Sequence, residues 1–340
     1  MFSQYRSTRI EKGVLSKHQS FGGTSDVGKG PISRINDTVV VGSSLVRIGG
    51  ENGPGIETTV LATVSVQVGT CVVSSSDTTT AASSGKNNSL AVEGDVQVSL
   101  SSTSLSNDDN SSFHCALQSY LERLLRDSLD LTQLAIRPIG NNPSGGISSD
   151  VNENKAFLLS INVQILQDGG NVRDACILAC TAALDDTRLP NTTTIDNAAD
   201  DRIWLVQSDV PRRRLQLPIL PVPLTCGIWV NDKKEDMSVT GETSFWIVDP
   251  TRVEQDCCSS LLTIVVDGNS AKPGGNSSLS ILSVELIPLE TDPFTRRPAA
   301  LTVQDVASSG VLLDPSMIVL ASKLASGRVG DVRDCWTRNK

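Results

Sequence analysis

The feature that most constrains this chain is the stretch QILQDGGNVRDACILACTAALDDTRLP, residues 164–190. An apolar strand runs into two adjacent glycines, Gly169 and Gly170, and then into a helix rich in alanine and cysteine. We predict a tight turn in which one of these glycines adopts a positive φ angle. Asn171 is then expected to cap the helix, and Asp174 lies in the first turn, where the helix dipole favours an acid.

The two glycines do not indicate a phosphate-binding loop, because the stretch lacks both the Gly-x-Gly-x-x-Gly spacing and the Gly-Lys-Ser/Thr ending. Cys176 and Cys180 lie one helical turn apart among alanines, and a metal ion would need two further ligands. Histidine is scarce in the chain, with only His18 and His114. We therefore interpret both cysteines as packing residues in a closely packed helix and predict no metal, no catalytic residue and no cofactor.

Charge and hydropathy restrict the partners of the chain. The 340 residues carry a formal net charge of −9, which argues against strong nucleic-acid binding by this chain alone. No apolar run approaches the roughly 20 residues needed to cross a bilayer, so we predict no membrane partner. The N-terminus lacks the apolar core of a signal peptide. Without such a signal, the eight cysteines are expected to stay reduced.

The first half of the chain reads as strands and one long helix. Two β-branched segments, DTVVVGSSLVRIGG and TTVLATVSVQV, are separated by turn residues and predict a hairpin. Residues 72–112 are rich in Ser, Thr and Asn, which predicts a flexible loop with one short strand near VEGDVQVSL. A helix should follow, because apolar residues recur at helical spacing: Phe113, Leu117, Leu121, Leu124 and Leu125.

The second half begins after Pro190 with a polar connection and continues as a β-rich region. Four apolar segments, including LPILPVPLTCGIWV and SSLLTIVVDG, predict strands. A last helix is expected to begin at Pro315 with Asp314 as its cap. The order of elements indicates an α+β class built from two units, without alternating βαβ repeats.

Arg212, Arg213 and Arg214 form the most concentrated positive charge in the sequence. Two interpretations stay open for them. They can form a solvated face beside a strand, or they can contact phosphate groups, which guanidinium groups bind well. We name them as candidate RNA-binding residues.

Several motifs resemble the RNase PH-like family. DGGNVRDACILACTAALDDTRLP is similar to its Asp-Gly-Gly…Asp-Ala…Ala-Ala-Leu…Leu-Pro signature, and GSSLVRIGG followed by TTVLATV is similar to its first hairpin. LPILPVPLTCGIWV, FWIVDPTRVEQD and LLTIVVDG…KPGG resemble its second domain. The resemblance implies a ribosomal protein S5 domain 2-like first domain and an exoribonuclease PH second domain, each a β-α layer.

This resemblance divides the chain into four parts. Residues 1–31 are expected to form an N-terminal arm, and residues 32–190 the first RNase PH domain, with a Ser/Thr-rich insertion at about 72–112. Residues 191–214 would be a polar linker. Residues 215–340 would form the second domain, which ends in the C-terminal helix.

The sequence departs from phosphorolytic members of the family at two places. Those members carry an arginine-rich segment before the first long helix, where residues 98–113 of this chain contain no Arg or Lys. They also place an aspartate near the start of a strand in the second domain. The matching residue here is Ser260, with Asp256 as the nearest acid.

The resemblance, with these departures, implies a non-catalytic subunit of the eukaryotic RNA exosome ring. Such a subunit would support 3'-to-5' RNA processing and degradation, including ribosomal RNA maturation and mRNA turnover. Its partners would be other RNase PH-like subunits in a hexameric ring, RNA-binding cap subunits, a hydrolytic nuclease, and RNA threaded through the channel. The implied location is nucleus, nucleolus and cytoplasm. The alternative is an active phosphate-dependent 3'-to-5' exoribonuclease of the RNase PH type.

Overall fold

The computed structural model describes most of both predicted domains. The described residues are 6–15, 39–49, 57–70, 93–103, 111–136, 155–190, 192–195, 203–206, 212–230, 244–270, 280–289 and 315–338. Much of the Ser/Thr-rich insertion, residues 71–92 and 104–110, lies outside them, as does Asp314.

The first sheet has five strands in the order β1-β2-β3-β5-β4. All neighbours are antiparallel except β4 and β5, which are parallel. The strands are β1 (Thr8–Lys12), β2 (Val39–Ile48), β3 (Thr58–Thr70), β4 (Asp95–Ser102) and β5 (Lys155–Gln167). The predicted hairpin corresponds to β2 and β3, and the short strand expected inside the insertion is β4.

Alternation of side chains explains why β3 belongs to a half-buried sheet. Val60, Ala62 and Val64 are fully buried, whereas Leu61 and Thr63 between them are only partly covered. Successive residues of a strand point to opposite faces, so one face of β3 enters the core. The apolar strand β5 shows the same alternation of buried and more exposed residues. It lies between β3 and the edge strand β4.

The first sheet contains one βαβ crossover, which agrees with the predicted α+β class without alternating βαβ repeats. Helix α1 (Ser111–Ser128) connects β4 to β5, and these two strands are parallel. A parallel pair needs such a crossover because its chain must return to the starting edge before the second strand begins. The apolar stripe predicted for α1 packs inward, with Leu117 and Leu121 fully buried.

The N-terminal arm is not separate from the first domain. Residues Thr8–Lys12 form β1, which pairs with β2 along the sheet edge. Ile10 is 1% exposed, whereas its neighbours Arg9 and Glu11 face solvent. A strand with a single buried residue gives almost no periodic signal, which explains why the sequence pattern indicated an arm.

Helix α2 (Val172–Asp186) packs against β2 and β3 on one side and, on the other, against β10 (Pro221–Val230), a strand of the second sheet. All of its residues from Val172 to Leu184 are buried. Its small side chains allow a close approach: a Cβ atom at Gly42 of β2 would lie 2.5 Å from the Ala183 carbonyl oxygen. This helix is therefore the common core of the molecule.

The second sheet has four antiparallel strands in the order β11-β10-β12-β13. Helix α3 (Arg252–Cys257) follows β11, and helix α4 (Pro315–Arg338) packs on β10, β12 and β1. Helix α4 begins at Pro315, as predicted. The strands are β10 (Pro221–Val230), β11 (Ser244–Val248), β12 (Ser260–Asp267) and β13 (Ile281–Pro288).

The expected polar linker, residues 191–214, contains short strands. β7 (Thr192–Ile195) pairs with β8 (Ile203–Val206), and β9 (Arg213–Arg214) pairs with β6 (Arg188–Leu189). The predicted mixed helix and sheet class is confirmed. Among the described helices, none combines the length and the apolar character that a membrane span requires.

Candidate functional site

The turn between β5 and α2 is held by its own polar groups and by β3. Gly170 has φ +101°, so the predicted positive φ belongs to the second glycine. The Gly170 N–H donates to Asp168 Oδ1 at 2.9 Å, and the Gly169 N–H donates to Thr58 Oγ1 at 3.0 Å. The Thr58 hydroxyl in turn donates to the Gly170 carbonyl. A Cβ atom at Gly170 would lie 2.3 Å from the Arg252 nitrogen, so the turn also touches α3.

Asn171 occupies the N-cap position of α2, as predicted, but its side chain does not make the capping hydrogen bond that this position usually has. Its backbone is left-handed, with φ 57° and ψ 40°, and its side chain makes no capping hydrogen bond. The amide nitrogen instead donates to Asp174 Oδ2 at 2.9 Å and to Asp249 Oδ1 at 2.6 Å. The Asn171 side chain therefore bridges two carboxylates, one from each half of the chain.

Asp174 connects α2 to the second sheet, a role that the sequence pattern did not indicate. Its Oδ1 accepts from the Thr225 hydroxyl at 2.7 Å, and its Oδ2 accepts from the Thr225 N–H at 3.0 Å. The side chain is buried, with 1% of the residue exposed. Burial is the main reason why the pKa of Asp174 is raised to about 6, and the nearby charge of Asp249 acts in the same direction.

Two arginines supply positive charge to these acids. Arg6 donates to Asp249 Oδ1 at 2.9 Å and to the carbonyls of Gly169 and Gly170 at 3.2 and 3.1 Å. Arg328 on α4 is 1% exposed and donates to Thr8 Oγ1 at 2.7 Å. We call this buried group the interdomain seam and define it by its members: Arg6, Asn171, Asp174, Thr225, Asp249, Thr263 and Arg328.

Sequence reasoning identified only two members of the interdomain seam, Asn171 and Asp174. The others lie far apart along the chain and carry no local motif; Arg6 and Asp249, for example, are separated by 243 positions. Asp249 also has a φ of 53°, which is unusual for a residue other than glycine and is visible only in the structure. Only the packing of α2 between the sheets brings these residues together.

The candidate RNA-binding arginines are the two residues of the surface strand β9 and Arg212 just before it, and the two strand residues make contacts within the chain. Arg214 donates to Asp185 Oδ1 at 2.7 Å, and Arg213 donates to the Gln133 carbonyl. All three arginines, including Arg212, are exposed. They remain accessible to a ligand, but a phosphate would compete with these internal acceptors.

Asp185, near the end of α2, collects contacts from distant segments. Its carboxylate accepts from Lys12 at 2.6 Å and from the Trp336 indole N–H at 2.9 Å, in addition to Arg214. The Lys12 ammonium also lies 4.1 Å from the Trp336 ring centroid. Burial works to raise the pKa of Asp185, but Lys12, Trp336 and Arg214 outweigh it and the pKa is lowered.

Ser260 and Asp256, the two residues matched by resemblance to the catalytic part of active family members, lie at the start of β12 and on α3. Ser260 is the first residue of β12, is 1% exposed, and its hydroxyl has no hydrogen-bond partner among the described residues. Asp256 lies on α3 with its Oδ1 3.8 Å from Arg252 Nε. In the described part of the chain, no cluster of three or more His, Cys, Asp or Glu side chains could hold a metal ion.

The cysteines of α2 lie in the core. Cys176 and Cys180 are both 0% exposed. Burial raises the pKa of Cys180 to about 12 and that of Cys176 well above its usual value. A thiol that stays protonated is a poor nucleophile and a poor metal ligand, so these side chains act as small apolar packing groups.

Comparison with known proteins places this geometry in a family context. The model of the 3' exoribonuclease family, domain 1 (RNase PH), matches residues 4–190, which is more than half of the chain. A relative from Dictyostelium discoideum, named exosome complex exonuclease RRP42, is 27% identical over 129 residues. That match covers 38% of this chain and 33% of the relative, so the chain aligns with only about a third of the relative's length.

Two solved structures share the fold at low sequence identity. An archaeal exosome core has a TM-score of 0.51 at 18% identity, covering 97% of this chain and 86% of the other. An Archaeoglobus fulgidus exosome with RNA bound to the active site has a TM-score of 0.51 at 17% identity, covering 99% and 89%. The chain therefore has an RNase PH-like fold across both of its sheets.

Proposed function

Because the chain belongs to the 3' exoribonuclease family, we propose that it is a non-catalytic structural subunit of an exosome ring. In this role it supports 3'-to-5' RNA processing and degradation, including ribosomal RNA maturation and mRNA turnover. The named relative is an exosome exonuclease, and both solved structures are exosome cores. These similarities support assembly with other RNase PH-like chains.

The single observation that carries the non-catalytic assignment is the buried serine at the start of β12. A phosphorolytic enzyme needs a carboxylate near the scissile bond to handle a proton or a metal ion. Ser260, at the corresponding place by resemblance, is 1% exposed and cannot carry a negative charge. The absence of Arg and Lys from residues 98–113 supports the same conclusion, because phosphate and RNA both need positive charge to hold them.

We further propose that the chain corresponds to the ring subunit ribosomal RNA processing protein 43, which its Val-Asp-Pro-Thr and Lys-Pro-Gly-Gly motifs resemble. The paralogues 42 and 45 share much of this pattern, and the relative from the comparison is named RRP42. The proposed partners are other RNase PH-like subunits in a hexameric ring, RNA-binding cap subunits, a hydrolytic nuclease and the RNA that passes through the channel. Arg212, Arg213 and Arg214 are the proposed contacts with that RNA. The proposed location is nucleus, nucleolus and cytoplasm.

A phosphorolysis assay tests the absence of catalysis. The full chain is assembled with its ring partners and incubated with 3'-labelled RNA and inorganic phosphate. We expect no release of nucleoside diphosphates above the level of the partners alone. A Ser260→Ala variant, which removes only an unpartnered hydroxyl, should assemble and behave in the same way.

The opposite outcome would establish the active-enzyme alternative. Phosphate-dependent release that requires this chain, and that disappears with Asp256→Ala, would contradict the proposal. An Asp127→Ala variant serves as the matched control, since Asp127 is also an exposed acid on a helix but lies in the first domain. Loss of release with both variants would indicate an assembly defect and would be checked by the mass of the complex.

A further inference from the structure

A continuous row of hydrogen-bonding groups crosses the interdomain seam from α2 into the second sheet. Asp174 Oδ1 lies 2.7 Å from Thr225 Oγ1, which lies 2.8 Å from Thr263 Oγ1. The three residues are 1%, 2% and 1% exposed. Thr225 and Thr263 are directly paired in β10 and β12, so the sheet register fixes the spacing of the two hydroxyls.

The direction of these hydrogen bonds depends on whether Asp174 carries a proton. An ionised carboxylate only accepts, so Thr225 then donates to Asp174, and Thr263 donates to Thr225. A protonated Asp174 donates to Thr225, which donates to Thr263. Either threonine can be the donor at the observed geometry. The same positions of the heavy atoms therefore serve both protonation states.

The environment of the carboxylate selects the oxygen that takes the proton. Oδ2 already accepts from the Thr225 N–H at 3.0 Å and from the Asn171 amide at 2.9 Å. Both of these donors would oppose a proton on Oδ2. The proton is therefore expected on Oδ1, which faces the Thr225 hydroxyl. The same Asn171 amide holds Asp249 at 2.6 Å, so a second negative charge stands beside Asp174 and favours its protonation.

Charged and titratable groups face Asp174 from each element that packs around it. Asp249 repels the ionised form, while Arg328 favours it, and Arg6 pairs with Asp249. The Cys226 thiol and the Tyr120 phenol stay neutral because burial raises the pKa of each. Among the described residues, these groups are Arg6, Tyr120 on α1, Cys226 on β10, Asp249 after β11 and Arg328 on α4.

We propose that the interdomain seam is a proton-accepting latch, in which Asp174 takes up a proton and the Thr225–Thr263 hydroxyls reverse their donors while the two halves of the chain stay joined. Two buried carboxylates bridged by one amide repel each other when both are ionised. Protonation of one of them removes this repulsion. The hydroxyl row lets this happen without breaking a contact between α2 and the second sheet.

The latch has a defined effect on stability as the pH changes. The pKa of Asp174 is about 6 in the folded chain, above the value of roughly 3.9 for an unfolded aspartate. The folded state therefore binds the proton more tightly, and this contribution to stability is present below about pH 4 and is lost as the pH rises through 6. Relative to a variant without the proton site, the chain should become more stable as the pH falls from 7 to 5.

The first test is a carbon-13 NMR titration of the Asp174 carboxyl in the full-length chain. Thr263→Val removes the hydroxyl to which Thr225 donates when Asp174 is protonated, so this form loses a hydrogen bond. The titration midpoint of Asp174 should therefore fall by about one pH unit, which corresponds to the free energy of one hydrogen bond. Thr263→Ser keeps the hydroxyl and should restore the midpoint. Thr181→Val is the matched control, since Thr181 is another buried threonine that donates to the Ile177 carbonyl within α2.

An unchanged midpoint in Thr263→Val would overturn the latch, as would an equal shift in Thr181→Val. If Thr263→Val fails to fold, a second measurement tests the proposal. The urea midpoint of unfolding is measured for the wild type and for Asp174→Asn, at pH 7 and at pH 5, and the difference between the two proteins is compared at the two pH values. The asparagine amide can donate to Thr225 Oγ1 permanently, so this variant resembles the protonated state. The wild type should gain stability relative to Asp174→Asn as the pH falls, and a constant difference would contradict the proposal.

Discussion

Among single residues, Gly170 is the one on which the turn between β5 and α2 depends, because glycine has no side chain. Gly170 has a φ of +101°, which a residue with a Cβ atom rarely adopts. The space beside it is also closed, since an added Cβ would lie 2.3 Å from the Arg252 nitrogen and 2.5 Å from the Thr251 carbonyl carbon. Both obstacles are backbone atoms, which cannot move aside as a flexible side chain can.

We therefore expect Gly170→Ala to lower the free energy of unfolding by about 2–4 kcal/mol, through backbone strain and overpacking together. Gly330→Ala is the matched control: Gly330 lies inside α4 with no atom within 4 Å of its added Cβ. There, alanine should stabilise the chain by up to about 1 kcal/mol. Urea denaturation of both variants measures the difference, and a Gly170→Ala variant as stable as the wild type would refute the turn geometry.

At the scale of elements, the end of α2 acts as a junction between segments that are distant in sequence. Asp185 binds Lys12 of β1, Arg214 of β9 and Trp336 of α4. β1 and β9 are short strands and α4 is the C-terminal helix, and each is joined to the buried helix α2 through this one carboxylate. The lowered pKa of Asp185 means that ionisation of this carboxylate favours the folded state.

Asp185→Asn should therefore lower stability at pH 7 by about 1–3 kcal/mol, since charged hydrogen bonds are lost. A lowered folded-state pKa contributes stability above the unfolded value of roughly 3.9, and this contribution is lost as the pH falls through the folded value. The difference between wild type and variant should shrink below about pH 4. Thermal melts at pH 7 and pH 3.5 test this, with the exposed Asp127→Asn as a control that should change stability by less than about 0.5 kcal/mol.

At the scale of the whole molecule, both halves share α2 as their core. The helix is buried from Val172 to Leu184, and the Arg173–Glu285 ion pair and the interdomain seam tie it to the second sheet. Neither sheet can lose α2 without exposing apolar surface and buried polar groups. Separate unfolding of one half would carry that cost.

We expect a single cooperative unfolding transition for the described core. Cys176 and Cys180 report on α2 and Cys226 reports on the second sheet, and all three are 0% exposed. Their thiols should become reactive to an alkylating reagent at the same urea concentration, as read by mass spectrometry of peptides. Cys115 and Cys257 are exposed and should react without urea. A lower midpoint for Cys226 than for Cys176 would instead indicate two independent domains.

Local sequence patterns were enough to predict the elements whose signal lies within one segment. β-Branched segments predicted β2 and β3, an apolar segment predicted β5, the apolar stripe predicted α1, and Pro315 marked the start of α4. The glycine pair predicted the turn, and the motifs along 164–190 indicated the family that the comparison of residues 4–190 supports. These features depend on backbone preferences and on side-chain spacing within one element, which a sequence displays directly.

Packing between distant segments fixed what local patterns could not: the roles of Asn171 and Asp174, the place of β1, and the internal contacts of Arg213 and Arg214. The local segment predicted that the Asn171 side chain would cap the helix. It could not show the actual partner, Asp249, because that residue lies 78 positions away. Burial of a polar side chain is set by whatever packs over it, and its hydrogen-bond partners must then come from that covering layer. Such partners are distant in sequence, so no local pattern could name them.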